Sequence, residues 1–357
     1  VSTPHIALLP ADFASVLDAD GPLALVASVT PWLARPADVV DRELVDGARE
    51  SLLKAVTAVN RRAADGDRDA FYAQQLLLSR SYELVTQLPP DAVTAEGSVV
   101  VHEMTRLLEE ATVAAEERHV DPALLAAAPT EPKAFLSWLR EYAKGHRAYK
   151  HPYYAEFIRH QATRADLRKY VIQESVVDGR FDDLLAMMQV GTTGAAKMEI
   201  AGNYWDEMGN GKPEEVHTHL FNKIYDVFAI SSEDLRRELT AEALLSGNLA
   251  VLLCRYRRYY PEAIGFLGMT EWFAPDRFVH VVHGWERLGL PEVGITYHKL
   301  HITIDSQHAA GWFHNVVVPA ADSAFMREGM ARGALWRLNS SARYLDERLA
   351  RTAAAAS

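Results

Sequence analysis

The stretch Tyr297-His298-Lys299-Leu300-His301-Ile302-Thr303-Ile304-Asp305-Ser306-Gln307-His308 decides how the chain is read. On an α-helix, positions i, i+4 and i+7 lie within roughly 40° of one another. His301, Asp305 and His308 therefore share one stripe, and His298 joins it a turn earlier. Four ionisable groups flanked by Leu300, Ile302 and Ile304 are costly to bury unless paired or ligated. The bland alternatives are a solvated face or core histidines with satisfied nitrogens. Three β-branched residues in a row weaken local helix preference, so packing must hold this helix in place.

Two further stretches carry carboxylates. In Lys197-Met198-Glu199-Ile200-Ala201-Gly202-Asn203-Tyr204-Trp205-Asp206-Glu207, the residues Glu199, Asn203 and Asp206/Glu207 follow a helical stripe. Gly209 and Gly211 end that helix, and Pro213 suits the start of the next, with Glu214 and Glu215 in its first turn. The second helix carries His217 and His219, so a helix ending at Glu207 and one beginning before His217 can aim both side chains at one centre. Capping and solvation are the ordinary alternative. Glu174, Asp178 and Asp182 repeat at i, i+4 and i+8, a spacing that by itself describes a solvated acidic face.

Imidazoles and carboxylates without a thiolate suit iron or manganese better than structural zinc. Three or four carboxylates with three histidines can hold two divalent ions. The one cysteine, Cys254, lies in the apolar run Val251-Leu252-Leu253 and reads as a buried structural thiol.

Working outward, helical periodicity dominates. Between 41 and 60 it places Leu44, Val45, Ala48, Leu52, Leu53 and Val56 on one face, and 72–88 and 99–118 repeat the pattern. Breakers fall at Pro89-Pro90, at Pro122 and over 129–132. The Ala-rich 123–128 stretch marks the boundary between an N-terminal helical region, 1–128, and a core, 129–357. Helices are expected over 133–145, 151–163, 164–191 with breaks, 194–208, 213–228, 232–254, 260–286, 296–313 and 323–350. The 279–282 patch is ambiguous, and the 351–357 tail is expected to fray. The fold class is all-α.

The net charge of -11 disfavours nucleic acid and acidic membrane surfaces, both of which need a basic face. No run of 18 apolar residues suggests a membrane span. Val1–Pro10 has neither a basic n-region nor an apolar h-region, so a cytoplasmic protein is expected.

Asn203-Tyr204-Trp205-Asp206-Glu207-Met208-Gly209-Asn210-Gly211, followed by His217, resembles the Asp-Glu-x-Gly-x-Gly … His signature of the iron-containing redox enzymes, also called haem-oxygenase-like diiron oxidases. His301-x₃-Asp305-x₂-His308 is similar to that family's third metal helix, Glu174 to the glutamate of its first, and His151-Pro152-Tyr153-Tyr154 to its usual lead into the core. The resemblance covers roughly 130–320. It implies a haem-oxygenase-like helical bundle and six ligands: Glu174, Glu207, His217, His301, Asp305 and His308, with Glu207 a bridge. Asp178 is the fallback first-helix ligand, and Glu199 an alternative ligand or a support for one. The first 128 residues lie outside the family core, as an extension for covering the site or for homodimer formation.

The resemblance further implies two iron ions and O2 as co-substrate. The expected activity is oxidation of a small amino-acid-like or amine substrate, with N-oxygenation in a biosynthetic pathway as the leading reaction. Asp178, Asp182 and Asp183 could pair with a substrate ammonium. Oxidative C–C cleavage or desaturation of an amino acid or fatty acid is the competing chemistry. A non-catalytic metal-binding helical protein is the competing class. A haem enzyme is disfavoured, because it needs one axial ligand and an apolar pocket rather than a six-membered polar cluster.

Overall fold

The computed structural model describes residues 12–89 and 94–356. Val1–Pro10, Pro90 and Ser357, each named above, lie outside the described residues. The chain is helical throughout and no strand occurs among the described residues. It divides into two compact units, Val1–Ala115 and Glu116–Ser357.

The first unit contains the helices Phe13–Asp20, Pro22–Leu33, Ala37–Glu43, Asp46–Ala64 and Arg68–Thr86, with most of Val99–Glu117. The stripe expected over 41–60 is interrupted. The chain turns at Leu44–Asp46, where Asp46 takes a positive φ of 43°, and the helix begins afresh. Its buried face is Leu52, Ala55, Val56 and Val59, while Val45 is exposed. Asp67 caps the next helix by accepting from the Asp69 and Ala70 amides.

The second unit is organised around a 28-residue helix, Tyr260–Arg287, most of whose side chains are buried. An amphipathic surface helix would bury one stripe; this one is apolar nearly all round, as suits a core helix. The 279–282 patch lies inside it, so tertiary burial overrides β-branching there. The final helix, Ala324–Ala356, crosses it closely. A Cβ at Gly265 would stand 1.9 Å from the Met330 carbonyl oxygen, and one at Gly333 would stand 1.9 Å from the Glu262 carbonyl oxygen. Glycine at both positions is what allows the two backbones to touch. The tail that was expected to fray stays helical through Ala356.

Thr296–Trp312 packs on the same long helix, pinned where Trp312 Nε1–H donates to the Ile264 carbonyl at 3.0 Å. The expected 232–254 helix is two, Ser232–Glu238 and Ala241–Arg255. Thr240 caps the second, and the Gln173 amide satisfies the break by donating to the Glu238 carbonyl and accepting from the Thr240 amide. Cys254 is fully buried and its thiol is pushed up to about 12 by that burial, as an inert structural residue. Among the described residues, no helix is long and apolar enough to cross a membrane.

Candidate metal centre

The Gly194–Glu207 helix ends on Glu207, and the next long helix, His217–Phe228, begins on His217. Between them the chain doubles back through two short 3₁₀ turns, one holding Pro213, Glu214 and Glu215 ahead of the helix. The return depends on Gly209, with φ +60°, because a Cβ there would lie 2.6 Å from the Glu215 carbonyl carbon and 2.8 Å from the Val216 nitrogen. This fold-back sets His217 Nδ1 2.9 Å from Glu207 Oε2. His301 reaches the same point from the Thr296–Trp312 helix, its Nε2 3.8 Å from Glu207 Oε1. Glu207, His217 and His301 thus form a buried triad whose donor atoms lie within 4.8 Å of one another.

A second buried triad, built to the same tolerance, consists of Glu271, Asp305 and His308. His308 Nδ1 is 3.7 Å from Glu271 Oε2 and 4.0 Å from Asp305 Oδ1. Asp305 follows His301 by four residues, so the triads stand about one turn, ~6 Å, apart along the shared helix.

Whether these groups suit a cation can be judged from their free atoms. His301 Nδ1 sits 2.8 Å from the Tyr297 carbonyl, so that nitrogen is a donor and Nε2 is the one that faces Glu207. His308 Nε2 sits 3.0 Å from Asp206 Oδ2, so Nδ1 is the nitrogen that faces the second triad. A partner on the outer nitrogen is how metal-binding imidazoles are held in one tautomer. His308 Nδ1, His217 Nδ1 and Glu271 Oε1 are buried without a hydrogen-bond partner. His217 Nδ1 pairs with Glu207 at 2.9 Å without the angle of a full hydrogen bond. The donor set fits divalent iron.

The electrostatics of the two triads differ. Burial opposes ionisation of Glu207, and the adjoining His217 and His301 rings outweigh it, holding the carboxyl at about 2. Burial raises Asp305 well above the usual carboxylate range, and the charges of Glu271, Glu207 and Asp178 push it the same way. Burial pulls His308 down, but Glu271 and Asp206 more than compensate and lift it to about 9.

Five of the six ligands expected from the sequence are therefore brought together. Glu174 stands outside both triads, where its Oε1 accepts from the Tyr344 hydroxyl at 2.6 Å. Asp178, the fallback, is enclosed rather than solvated. Burial and the charge of Glu174 raise its carboxyl well above the ordinary range, and Glu207 acts on it too. Glu199 accepts from Asn315 Nδ2 at 2.6 Å and joins neither triad. His298 is fully buried in an aromatic setting, held down to about 3 by burial and by His301, with Nε2 3.3 Å from the Tyr170 hydroxyl. It is a core histidine. His151, in the lead toward the core, pairs with Asp346 at 3.1 Å.

Glu271 is the residue that the spacing argument missed. It is 3% exposed inside the apolar run Met269-Thr270-Glu271-Trp272-Phe273, with no histidine or acid at helical spacing to form a stripe. Its only signal was its cost, since a lone carboxylate in a core helix calls for a counter-charge. Pro275, one turn on, has no N–H to donate to the Glu271 carbonyl, so the helix ladder is interrupted beside the ligand.

Residues 168–342 match the family model described as iron-containing redox enzyme, a span that includes every member of both triads. No curated protein matches the chain. The matched region contains the turn from Glu207 to His217 and the helix bearing His301, Asp305 and His308, on an all-α haem-oxygenase-like fold. Residues 168–342 belong to the iron-containing redox enzymes.

Proposed function

We propose that this protein is an O2-dependent diiron oxidase acting on a small amino-acid-like amine. Glu207, His217 and His301 would hold one iron, and Glu271, Asp305 and His308 the other. Two ferrous ions bound there supply the reducing equivalents that activate O2. The observation that carries this reading is the pair of buried triads sharing one helix, with Nε2 of His301 and Nδ1 of His308 directed inward.

The protein's own contribution is ligation, orientation and dryness. The Tyr297 carbonyl and the Asp206 carboxylate fix the two imidazole tautomers. Tyr297 and Phe278 wall the first triad with aromatic surface, their ring centres 4.0 and 6.1 Å from that of His301, and exclude water from it. Burial raises the carboxyls of Asp178 and Asp182, so that either can take a proton from a substrate ammonium and hold the freed amine by a hydrogen bond. That favours an amine substrate and, with it, N-oxygenation. Glu174 enters the ligand set only by leaving Tyr344.

Anaerobic loading of metal-free protein with Fe(II) is expected to give two irons per chain. The same count in Glu174→Gln would place that residue outside the ligand set, and a lower one inside it. O2 uptake with a panel of amino acids and amines should yield a product heavier by one oxygen on nitrogen. One iron or fewer in the wild type sinks the diiron reading. A product shortened by carbon dioxide, or carrying a new double bond, replaces N-oxygenation by cleavage or desaturation.

A further inference from the structure

Two arginines that serve neither triad are buried in the second unit without a carboxylate partner. Arg277 is 7% exposed and Arg337 8% exposed, and among the described residues no carboxylate oxygen comes within ion-pair distance, 4.0 Å, of either guanidinium. Their hydrogen bonds go to neutral groups. Arg277 donates to the Ala148 carbonyl at 3.1 Å and to Ser341 Oγ at 2.9 Å, and Arg337 donates to Ser246 Oγ at 3.0 Å. The Nε–H of each has no partner at all. A guanidinium offers five N–H donors, so most of the capacity of this pair is unused. Aromatic faces cushion the cations, Tyr154 and Phe273 under Arg277 and Phe266 under Arg337, but aromatic faces do not satisfy N–H groups in the guanidinium plane.

Both arginines line one internal cavity of about 20 Å³, with Gln173, Glu174, Ser246 and Tyr344 among its other walls. That volume admits one water-sized group. The charges facing it do not balance. Burial and the proximity of Arg277 bring Arg337 down to about 10, still a cation at neutral pH. Among the described residues, the one carboxyl group in its lining is Glu174, whose Oε1 is engaged by Tyr344. Arg277 follows Glu271 by six residues on the same helix, about 9 Å along its axis, so the cavity and the second triad are neighbours along that helix.

We propose that Arg277 and Arg337 form the anchor for the carboxylate of the substrate, with one carboxylate oxygen taking the water-sized cavity that both side chains line. This rests on the amino-acid-like substrate proposed above and narrows it to molecules with a free carboxylate. Forked charge-assisted bonds to a carboxylate are what arginine does best, and a dry setting strengthens them.

The test uses metal-free protein, so it does not depend on iron binding or O2 chemistry. Thermal unfolding is followed against sodium formate, sodium acetate and L-alanine at constant ionic strength, with sodium chloride and ethylammonium chloride as controls. A saturable rise in Tm with the three carboxylates, absent with ethylammonium chloride, is expected. Arg337→Lys keeps the charge but removes the fork and Nε–H, and should weaken acetate at least tenfold, as should Arg277→Gln. If a variant does not fold, the wild-type titrations still decide. No saturable shift with any carboxylate overturns the proposal, as does an equal response from wild type and Arg337→Lys. Saturation by chloride and formate, but not by acetate or alanine, makes the cavity a free-anion site and removes the substrate from it. An iron count of two alongside no carboxylate binding would leave the diiron reading standing and this one refuted.

Discussion

The two triads share a helix and a chemistry but solve the burial of charge in opposite ways. The first has one carboxylate between two imidazoles, and Glu207 stays ionised down to about 2 because His217 and His301 flank it. The second has two carboxylates and one imidazole. There Asp305 is held toward its protonated form by burial and by Glu271, and His308 is lifted to about 9. In the first triad nothing can replace the carboxylate. In the second, a proton is stored that can be released when a carboxylate or a cation changes. The first triad therefore bears on folding even without metal, and the second bears mainly on metal.

That contrast predicts unequal costs for equivalent substitutions. Glu207→Gln leaves two buried imidazoles without their anion, and should destabilise metal-free protein by about 3–5 kcal/mol, as breaking a buried pair does. Glu271→Gln removes a charge that Asp305 can take over by ionising, so metal-free stability should move by no more than about 1 kcal/mol, the scale of one ordinary hydrogen bond. Both variants should drop from two irons to one. Urea unfolding of the chelator-treated proteins measures the first effect, and iron analysis the second. Equal destabilisation by the two substitutions would erase the distinction between the triads.

A smaller effect should come from the residue that orients the second triad. Asp206→Ala removes the acceptor at 3.0 Å from His308 Nε2 and leaves the ring free to flip or change tautomer. Affinity at the second triad should fall by about 10–100-fold, the range for losing such an outer partner. The first triad, whose His301 is fixed by a backbone carbonyl, should keep its affinity. A competitive chelator titration resolves the two sites, and a loss shared equally between them would show that Asp206 acts on the fold and not on His308.

The centre is legible in the sequence where a local rule joins its members. His301, Asp305 and His308 need only the pitch of one helix, and Glu207 and His217 need only the Gly209 turn between two helices. Glu271 has no such neighbour. It reaches Asp305 and His308 because two long helices cross, a fact carried by Trp312 on the Ile264 carbonyl and not by any spacing within residues 260–287. Arg277 and Arg337 were illegible for the same reason, being 60 positions apart in sequence on two helices whose close crossing is set by Gly265 and Gly333. Glu174 shows the converse. Its helical spacing to Asp178 is real, but the helix Arg164–Glu174 ends there, and the chain turns through Ser175–Val177 before Asp178. The acidic face expected over 174–182 is therefore no single face. The all-α fold was legible throughout, because the apolar runs are too long and too evenly spaced for strands.

The gentlest test of the contrast is pH. Asp305 and His308 both bind a proton more tightly in the metal-free fold than in the unfolded chain, and both must give it up to ligate. As pH falls below about 9, protons therefore compete with metal at the second triad, weakening it by up to about tenfold per pH unit for each proton displaced. Glu207, already ionised above about 2, releases no proton in this range. Between pH 8 and 6.5 the second triad should accordingly lose affinity more steeply than the first. Glu207→Gln retains the second triad and Glu271→Gln the first, so anaerobic Fe(II) titrations of the two variants against a chelator give the two slopes separately. The steeper slope belongs to Glu207→Gln if protons are stored where the two carboxylates meet. Parallel slopes would mean that neither Asp305 nor His308 stores a proton in the metal-free protein.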